Sequence, residues 1–271
     1  MKKLTSIYII ITLIIAVTYI FPLYWLIATS LKSYIEIYSN PPYWYPPNPS
    51  IQYYLDALYK FFGLKYLANS LIVAAVNAGL ATVISLLAAY TISRFKFKGR
   101  DTLFFSFVSM RMAPPAVFAV AYYYMFCVTL GMKDQLLSLI IVYLVFNVPI
   151  AIWLLLSAEE AIPRDLDYAA KLEGYGPIST LFKIHVPIIK GVIAISYILT
   201  FLFAFNEYLF ASFLTSTEAR TIPTALQGMV TVAGVYWSQM AALGVISAIP
   251  GIVIALITRR YLVTGLTMGM A

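Results

Sequence analysis

Few residues in this chain could do chemistry, and they are scattered. His185 is the only histidine and Cys127 the only cysteine. A zinc site takes three or four Cys, His or carboxylate ligands, and no second histidine or cysteine lies near His185. One cysteine also excludes an internal disulfide or a CxxC redox pair, and Cys127 sits in an apolar run where a small buried side chain is expected. No GxxxxGK[ST] loop for cradling phosphates occurs. What remains is polarity set into apolar sequence: Arg111, Asn147, Asn206 and Glu207. A charge at membrane depth costs on the order of a few kcal/mol and faces a protein interior or a water-filled path. Arg111 therefore either lines a path or pairs with an acid or free carbonyl beside Pro114-Pro115. Glu207 is either a pathway or gate carboxylate or a structural hydrogen-bond acceptor. Asn147 near Pro149, and Asn206 beside Glu207, are the other path candidates.

The elements that must position these groups follow from composition. The chain has 271 residues, of which 62% are hydrophobic and 11% charged, with mean hydropathy +0.87. Soluble domains carry about 25% charged residues, so the chain reads as an all-α polytopic membrane protein. The net charge of +7 forms no stripe on a soluble surface, which argues against nucleic acid. Lys2-Lys3 and the apolar run behind them exceed a signal-peptide core, and no cleavage-type site follows. That run is read as a retained first span.

A spanning helix needs about 20 apolar residues. Six segments qualify: Ile7–Leu31, Leu67–Ser93, Leu103–Leu130, Leu136–Ser157, Ile188–Leu214 and Met240–Ile257. Together they make one transmembrane domain over residues 1–271. With the N-terminus in the cytoplasm, the inner side holds Lys2, Lys3, Arg94, Lys96, Lys98, Arg100, Arg164, Lys171, Lys183, Lys190, Arg259 and Arg260, twelve of the eighteen basic residues. Basic residues accumulate inside, so both termini and the stretch 159–187 are expected there. Outside, Pro41 to Pro49 should resist helix, their interleaved Trp and Tyr suiting a headgroup belt or a protein surface. Asn69-Ser70 reads as a cap opening the second span. Val230–Val235 either stays in the outer loop or re-enters the membrane.

The stretch Glu159–Lys190 concentrates charge between two apolar runs. Pro163 suits a first helical position, Asp165 and Asp167 suit the positive end, and Gly174 can close the helix in the left-handed conformation. Pro163–Glu173 is thus expected to be a short helix on which Ala169 and Ala170 permit close approach. Gly176-Pro177 restarts the chain. Ile178, Leu181 and Phe182 recur at helical spacing as an apolar stripe, and Pro187 is expected to open the fifth span. Apolar residues presented to water call for a partner, and a docking hairpin is a better reading than a catalytic centre.

At these positions the chain resembles the permease subunits of binding-protein-dependent ABC importers. Their signature is Glu-Ala-Ala, three residues, Gly, nine residues, then Ile-x-Leu-Pro. Here Tyr168-Ala169-Ala170, Gly174 and Ile184-His185-Val186-Pro187 keep that spacing, with Tyr168 in place of the glutamate and Glu173 where the family often has aspartate. Tyr66–Leu71, Ala89–Arg100, Phe205–Tyr208, Thr221–Leu226, Gln239–Ala242 and Arg259–Thr267 are similar to the carbohydrate-uptake branch. The resemblance implies the type I importer permease fold, a second homologous permease, two ATPase subunits that hold ATP and Mg, and an external sugar-binding protein. This chain would bind no cofactor, would not be an enzyme, and would sit in the cell membrane. Ala169, Ala170, Glu173, Gly174, Ile178, Leu181 and Phe182 would meet the ATPase. The alternatives are an ion-gradient-driven transporter in which Glu207 titrates and, more remotely, an intramembrane hydrolase. The first class typically shows inverted repeats, and none is evident.

Overall fold

A computed structural model describes residues 2–268 except 233, with side chains at 8–257 except 10 and 233. The terminal basic residues Lys2, Lys3, Arg259 and Arg260, and the side chains of the 259–267 tail, fall outside the described side chains. In chain order the helices are α1 (Lys2–Ser30), α2 (Tyr34–Ile37), α3 (Gln52–Leu55, continued by a π turn Asp56–Lys60), α4 (Gly63–Arg94), α5 (Arg100–Met112), α6 (Pro115–Tyr123, continued by a π turn Tyr124–Thr129) and α7 (Leu136–Glu160). There follow α8 (Asp165–Leu172), α9 (Pro177–Thr180), a π turn Leu181–His185, α10 (Val186–Phe205), α11 (Leu209–Leu214), α12 (Ile222–Gly228) and α13 (Trp237–Met268). Between the last two helices, β1 (Val230–Thr231) and β2 (Gly234–Val235) pair antiparallel. Residues 230–231 and 234–235 are therefore paired strands, with Val230 opposite Val235.

Among the described residues, five helices are long and apolar enough to cross a membrane: α1 over Ile11–Ser30, α4, α7, the run Pro177–Phe205, and α13 over Trp237–Ile257. The expected third span is broken. α5 and α6 meet at 89°, and they bring the number to six only if the bent pair is one span. The cause is local. A residue before proline is pushed out of the helical region, and both Ala113 (ψ 136°) and Pro114 (ψ 122°) are extended. Pro115 then opens α6, where its missing N–H costs nothing.

The chain divides into two compact units. In the unit of residues 1–65 and 225–250, the proline run 41–49 stays free of helix, as its composition dictates. Its shape is set by Glu36, half of a capping box with Ser33 on α2, whose carboxylate also accepts from the N–H and Nδ2 of Asn48. The N–H of Ser33 and then those Asn48 donors hold the Glu36 carboxyl below its usual range, against the burial that would raise it. Trp44 lies edge-on to Trp25 of α1, 6.0 Å between centroids. The aromatic loop thus folds back on its own helix.

In the unit of residues 66–224 and 251–271, α4, α7, α10 and α11 bury one apolar core around Val73, Leu139, Tyr143, Phe146, Phe205 and Leu214. A second cluster, with Leu86, Tyr90, Ile152, Leu155, Leu181 and Ile189, lies toward Arg94 and Glu160, the last residues of α4 and α7. Asn69 and Ser70 are not caps, because α4 already begins at Gly63. They are buried tethers instead. Asn69 Nδ2 donates to the carbonyls of Glu218 and Arg220 (2.7 and 2.9 Å), and Ser70 Oγ accepts from the N–H of Ile222 (2.8 Å). Nearby, Asp134 gathers the N–H groups of Ser216, Thr217, Glu218 and Ala219 at 2.9 Å each. Burial pushes the Asp134 carboxyl up, but these four amides outweigh it and hold the group well below the usual carboxylate range.

Candidate functional site

The stretch between α7 and α10 is built from the residues its sequence singles out. α8 starts at Asp165, two residues after Pro163, with Asp165 and Asp167 in its first turn and Lys171 in its last. It ends in a Schellman motif. Gly174 takes φ +84°, its N–H donates to Lys171 O, and the N–H of Tyr175 reaches back to Ala170 O at 2.9 Å. Gly176 then stands extended ahead of Pro177, which opens α9.

The second half departs from the expected short, separate helix. α9, the π turn and α10 run on as one helix, Pro177–Phe205. Pro187 stands in the first turn of α10, as expected, although the continuous helical run begins earlier, at Pro177. The π turn makes this possible, because Val186 N–H bonds five residues back to Leu181 O and the widened turn absorbs the missing proline donor. The three apolar residues at the start of this run do not share one face, because successive helical residues point about 100° apart. Ile178 (72% exposed) and Phe182 (52%) stay at the surface, while Leu181 (1%) turns into the second core cluster. Ala170 is buried as well, whereas Ala169, Glu173 and Gly174 are exposed. Leu181 and Ala170 are therefore packing residues and not surface ones. Leu172 (90% exposed) and Tyr168 take their place on the apolar face.

Beneath α8 lies a buried ionic cluster that sequence spacing gave no hint of. The His185 ring is fully buried, with Nδ1 2.6 Å from Glu159 Oε2 on α7 and Nε2 3.1 Å from Asp167 Oδ1 on α8. Tyr90 of α4 packs edge-on against it at 5.1 Å. Arg94, also on α4, places Nη1 3.4 Å from Asp167 Oδ2, and its Nη2 donates to the carbonyls of Glu159 (2.8 Å) and Ile162 (3.0 Å). Arg164 Nη2 donates to Ser93 O. A cavity of about 470 Å³ opens beside this cluster, lined by Arg94, Arg164 and Lys171 together with Tyr90, Tyr168 and Tyr175. No group of three or more metal ligands is found among the described residues.

Three of the four intramembrane candidates meet at a second site. Arg111, Asn147 and Glu207 line a cavity of about 180 Å³ with Tyr143, Phe203 and Phe210. Arg111 lies over the Phe203 ring, 4.9 Å from its centroid, a cation–π contact in place of the expected acid or kink carbonyl. The Glu207 carboxylate accepts from the N–H groups of Phe210 and Ala211 and so closes the first turn of α11. Asn147 is buried, donating to Asn77 Oδ1 (2.6 Å) and Thr200 O (3.3 Å). Asn206 stands apart, exposed, its amide turned back to Leu202 O.

Residues 81–267 match the family described as binding-protein-dependent transport system inner membrane component. The inner membrane ABC transporter permease protein YcjP of Escherichia coli is 31% identical over 254 residues, covering 92% of this chain and 90% of that protein. The trehalose/maltose transport system permease protein MalG of Thermococcus litoralis is 31% identical over 277 residues, covering 95% and 93%. Among solved structures, a bacterial ABC transporter involved in import of the acidic polysaccharide alginate superposes with TM-score 0.78 at 18% identity, covering 96% of each chain. A bacterial alginate transporter in complex with its alginate pentasaccharide-bound periplasmic protein gives 0.57 at 16% identity, covering 90% of this chain and 94% of that one. Fold, apolar helices and sequence agree, and the chain belongs to the family of binding-protein-dependent transport system inner membrane components.

Proposed function

We propose that this chain is one of two permease subunits of an ATP-driven importer for a carbohydrate. An external binding protein delivers the sugar, a second homologous permease completes the path, and two ATPase subunits, which hold ATP and Mg, dock on the cytoplasmic 159–187 hairpins. Both termini lie on the same side as the hairpin. The observation that carries this reading is the apolar surface of the hairpin, where Tyr168, Leu172, Ile178 and Phe182 are exposed on a stretch rich in charge. Apolar residues gathered on a protein surface mark an interaction site. The helix that bears Ile178 and Phe182 continues without a break into a span, so a partner gripping this surface has a lever into the membrane. Relatives named for trehalose/maltose and for diacetylchitobiose uptake support a sugar as cargo, and a solved relative in complex with a periplasmic protein supports the external partner.

Arg111, Asn147 and Glu207 are assigned to the translocation path because they share one cavity, and Asn206 is assigned to its outer mouth. Transport follows from alternating access. Nucleotide and loaded binding protein each bias the permease pair toward one of two arrangements. The test is purification of the intact complex and assay of ATP hydrolysis across a panel of sugars. Stimulation by a binding protein loaded with one sugar class is the expected result. Uptake that collapses with the ion gradient and copurifies with no ATPase would overturn the proposal.

A further inference from the structure

We propose that His185 is a positioning residue for transmission between the hairpin and the spans. Its ring bonds one carboxylate on α7 and one on α8, and it is itself part of the turn that leads into α10. Arg94 adds α4 through Asp167 and through two α7-side carbonyls. Four elements thus meet at one buried imidazole: the ends of α4 and α7, the π turn before α10, and α8. Each ring nitrogen holds a different helix, Nδ1 meeting Glu159 of α7 at 2.6 Å and Nε2 meeting Asp167 of α8 at 3.1 Å. Hydrogen bonds are directional, and with His185 and Glu159 both fully buried the close-packed surroundings resist continuous deformation. Displacement of α8 is therefore passed to the spans as rigid movement rather than lost in bending of the 161–164 and 173–176 connections. The inference rests on the proposed docking of an ATPase at the hairpin.

The variant that breaks the link is Asp167→Ala, which removes the α8 contacts of both His185 Nε2 and Arg94 and leaves the His185–Glu159 pair in place. Asp167→Asn is its conservative partner, since the amide oxygen still accepts from Nε2. The intact complex is reconstituted in vesicles, and sugar transported per ATP hydrolysed is measured beside copurification of the ATPase. For Asp167→Ala the ratio is expected to fall about 5–150-fold, the usual range of a coupling free energy, with the ATPase still bound. Asp167→Asn is expected to restore most of it. A merely structural role would lower uptake and hydrolysis together and leave the ratio unmoved, which overturns the inference, as does a normal ratio in Asp167→Ala. Ile178→Asp separates this from the docking reading. If Ile178→Asp loses the ATPase while Asp167→Ala transports normally, only the role of His185 fails. If Ile178→Asp keeps the ATPase, docking fails and the inference with it.

Discussion

Replacing Gly174 by valine probes the hairpin at one backbone angle. Gly174 holds φ +84°, and a Cβ built there meets no atom within 4 Å. The cost of a side chain is therefore conformational and not steric. A left-handed L-residue costs about 1–2 kcal/mol, and a β-branched one sits at or above the top of that range. Escaping the strain means unwinding the Schellman turn, which forfeits the bonds from Gly174 and Tyr175 to Lys171 and Ala170, each worth about 1 kcal/mol net. Gly174→Val is thus expected to cost about 2–3 kcal/mol at the end of α8, enough to unwind the turn between α8 and α9 but too little and too local to block membrane insertion. The assay is sugar uptake per ATP hydrolysed in the reconstituted complex, which should drop with the expression level unchanged. Gly174→Asn is the control, because asparagine tolerates the left-handed region, and it should couple normally. Normal coupling by Gly174→Val would refute the role given to the turn. Equal loss by valine and asparagine would show that the partner needs bare backbone at Gly174 and that the angle is incidental.

Leu181→Ala empties a core position and should cost about 2–5 kcal/mol, read as a lower melting temperature of the purified complex, whereas Ile178→Ala should leave melting unchanged and weaken ATPase copurification. Asn147→Ala leaves Asn77 Oδ1 without the 2.6 Å bond and should destabilise by about 1–3 kcal/mol, seen in the same melting assay; Asn147→Asp tests whether a charge is tolerated there. Asp134 has a depressed carboxyl, so its contribution is fully present above the unfolded value of about 3.9 and is lost as pH falls through the lower folded value. Asp134→Asn should therefore lower stability at neutral pH and flatten its dependence on pH below about 4, measured by melting the complex across acid buffers.

Much of this architecture is written in local sequence. Gly174, Gly176-Pro177 and the acidic first turn of α8 act through their own backbone neighbours, and so they are readable one residue at a time. Pro114-Pro115 is legible for the same reason, although the size of the bend is not. The misreadings share a cause, which is dependence on distant residues. Asn69 and Ser70 are good cap residues by type, yet their partners lie about the 218–222 loop, and the helix simply starts earlier. Leu181 fits a 3.6-residue stripe with Ile178, yet it packs into a cluster with Leu86, Ile152 and Leu155 from other helices. The partners of His185 are not legible in sequence because Glu159 and Asp167 lie 26 and 18 residues away on other helices. Tyr168, which stands where the family signature has glutamate, is exposed and lines the cavity beside α8.

The most direct measurement is site-directed cross-linking of the hairpin to the ATPase. Cys127 is the only cysteine, so a Cys127→Ser background carries no competing thiol. In that background Ile178→Cys should cross-link to the ATPase subunit of the assembled complex, with a yield that changes between nucleotide-free and ATP-bound states, while Leu181→Cys, buried in the same turn, should not react. An assembled, sugar-transporting complex in which Ile178→Cys never joins the ATPase in any nucleotide state would contradict the docking role on which the account rests.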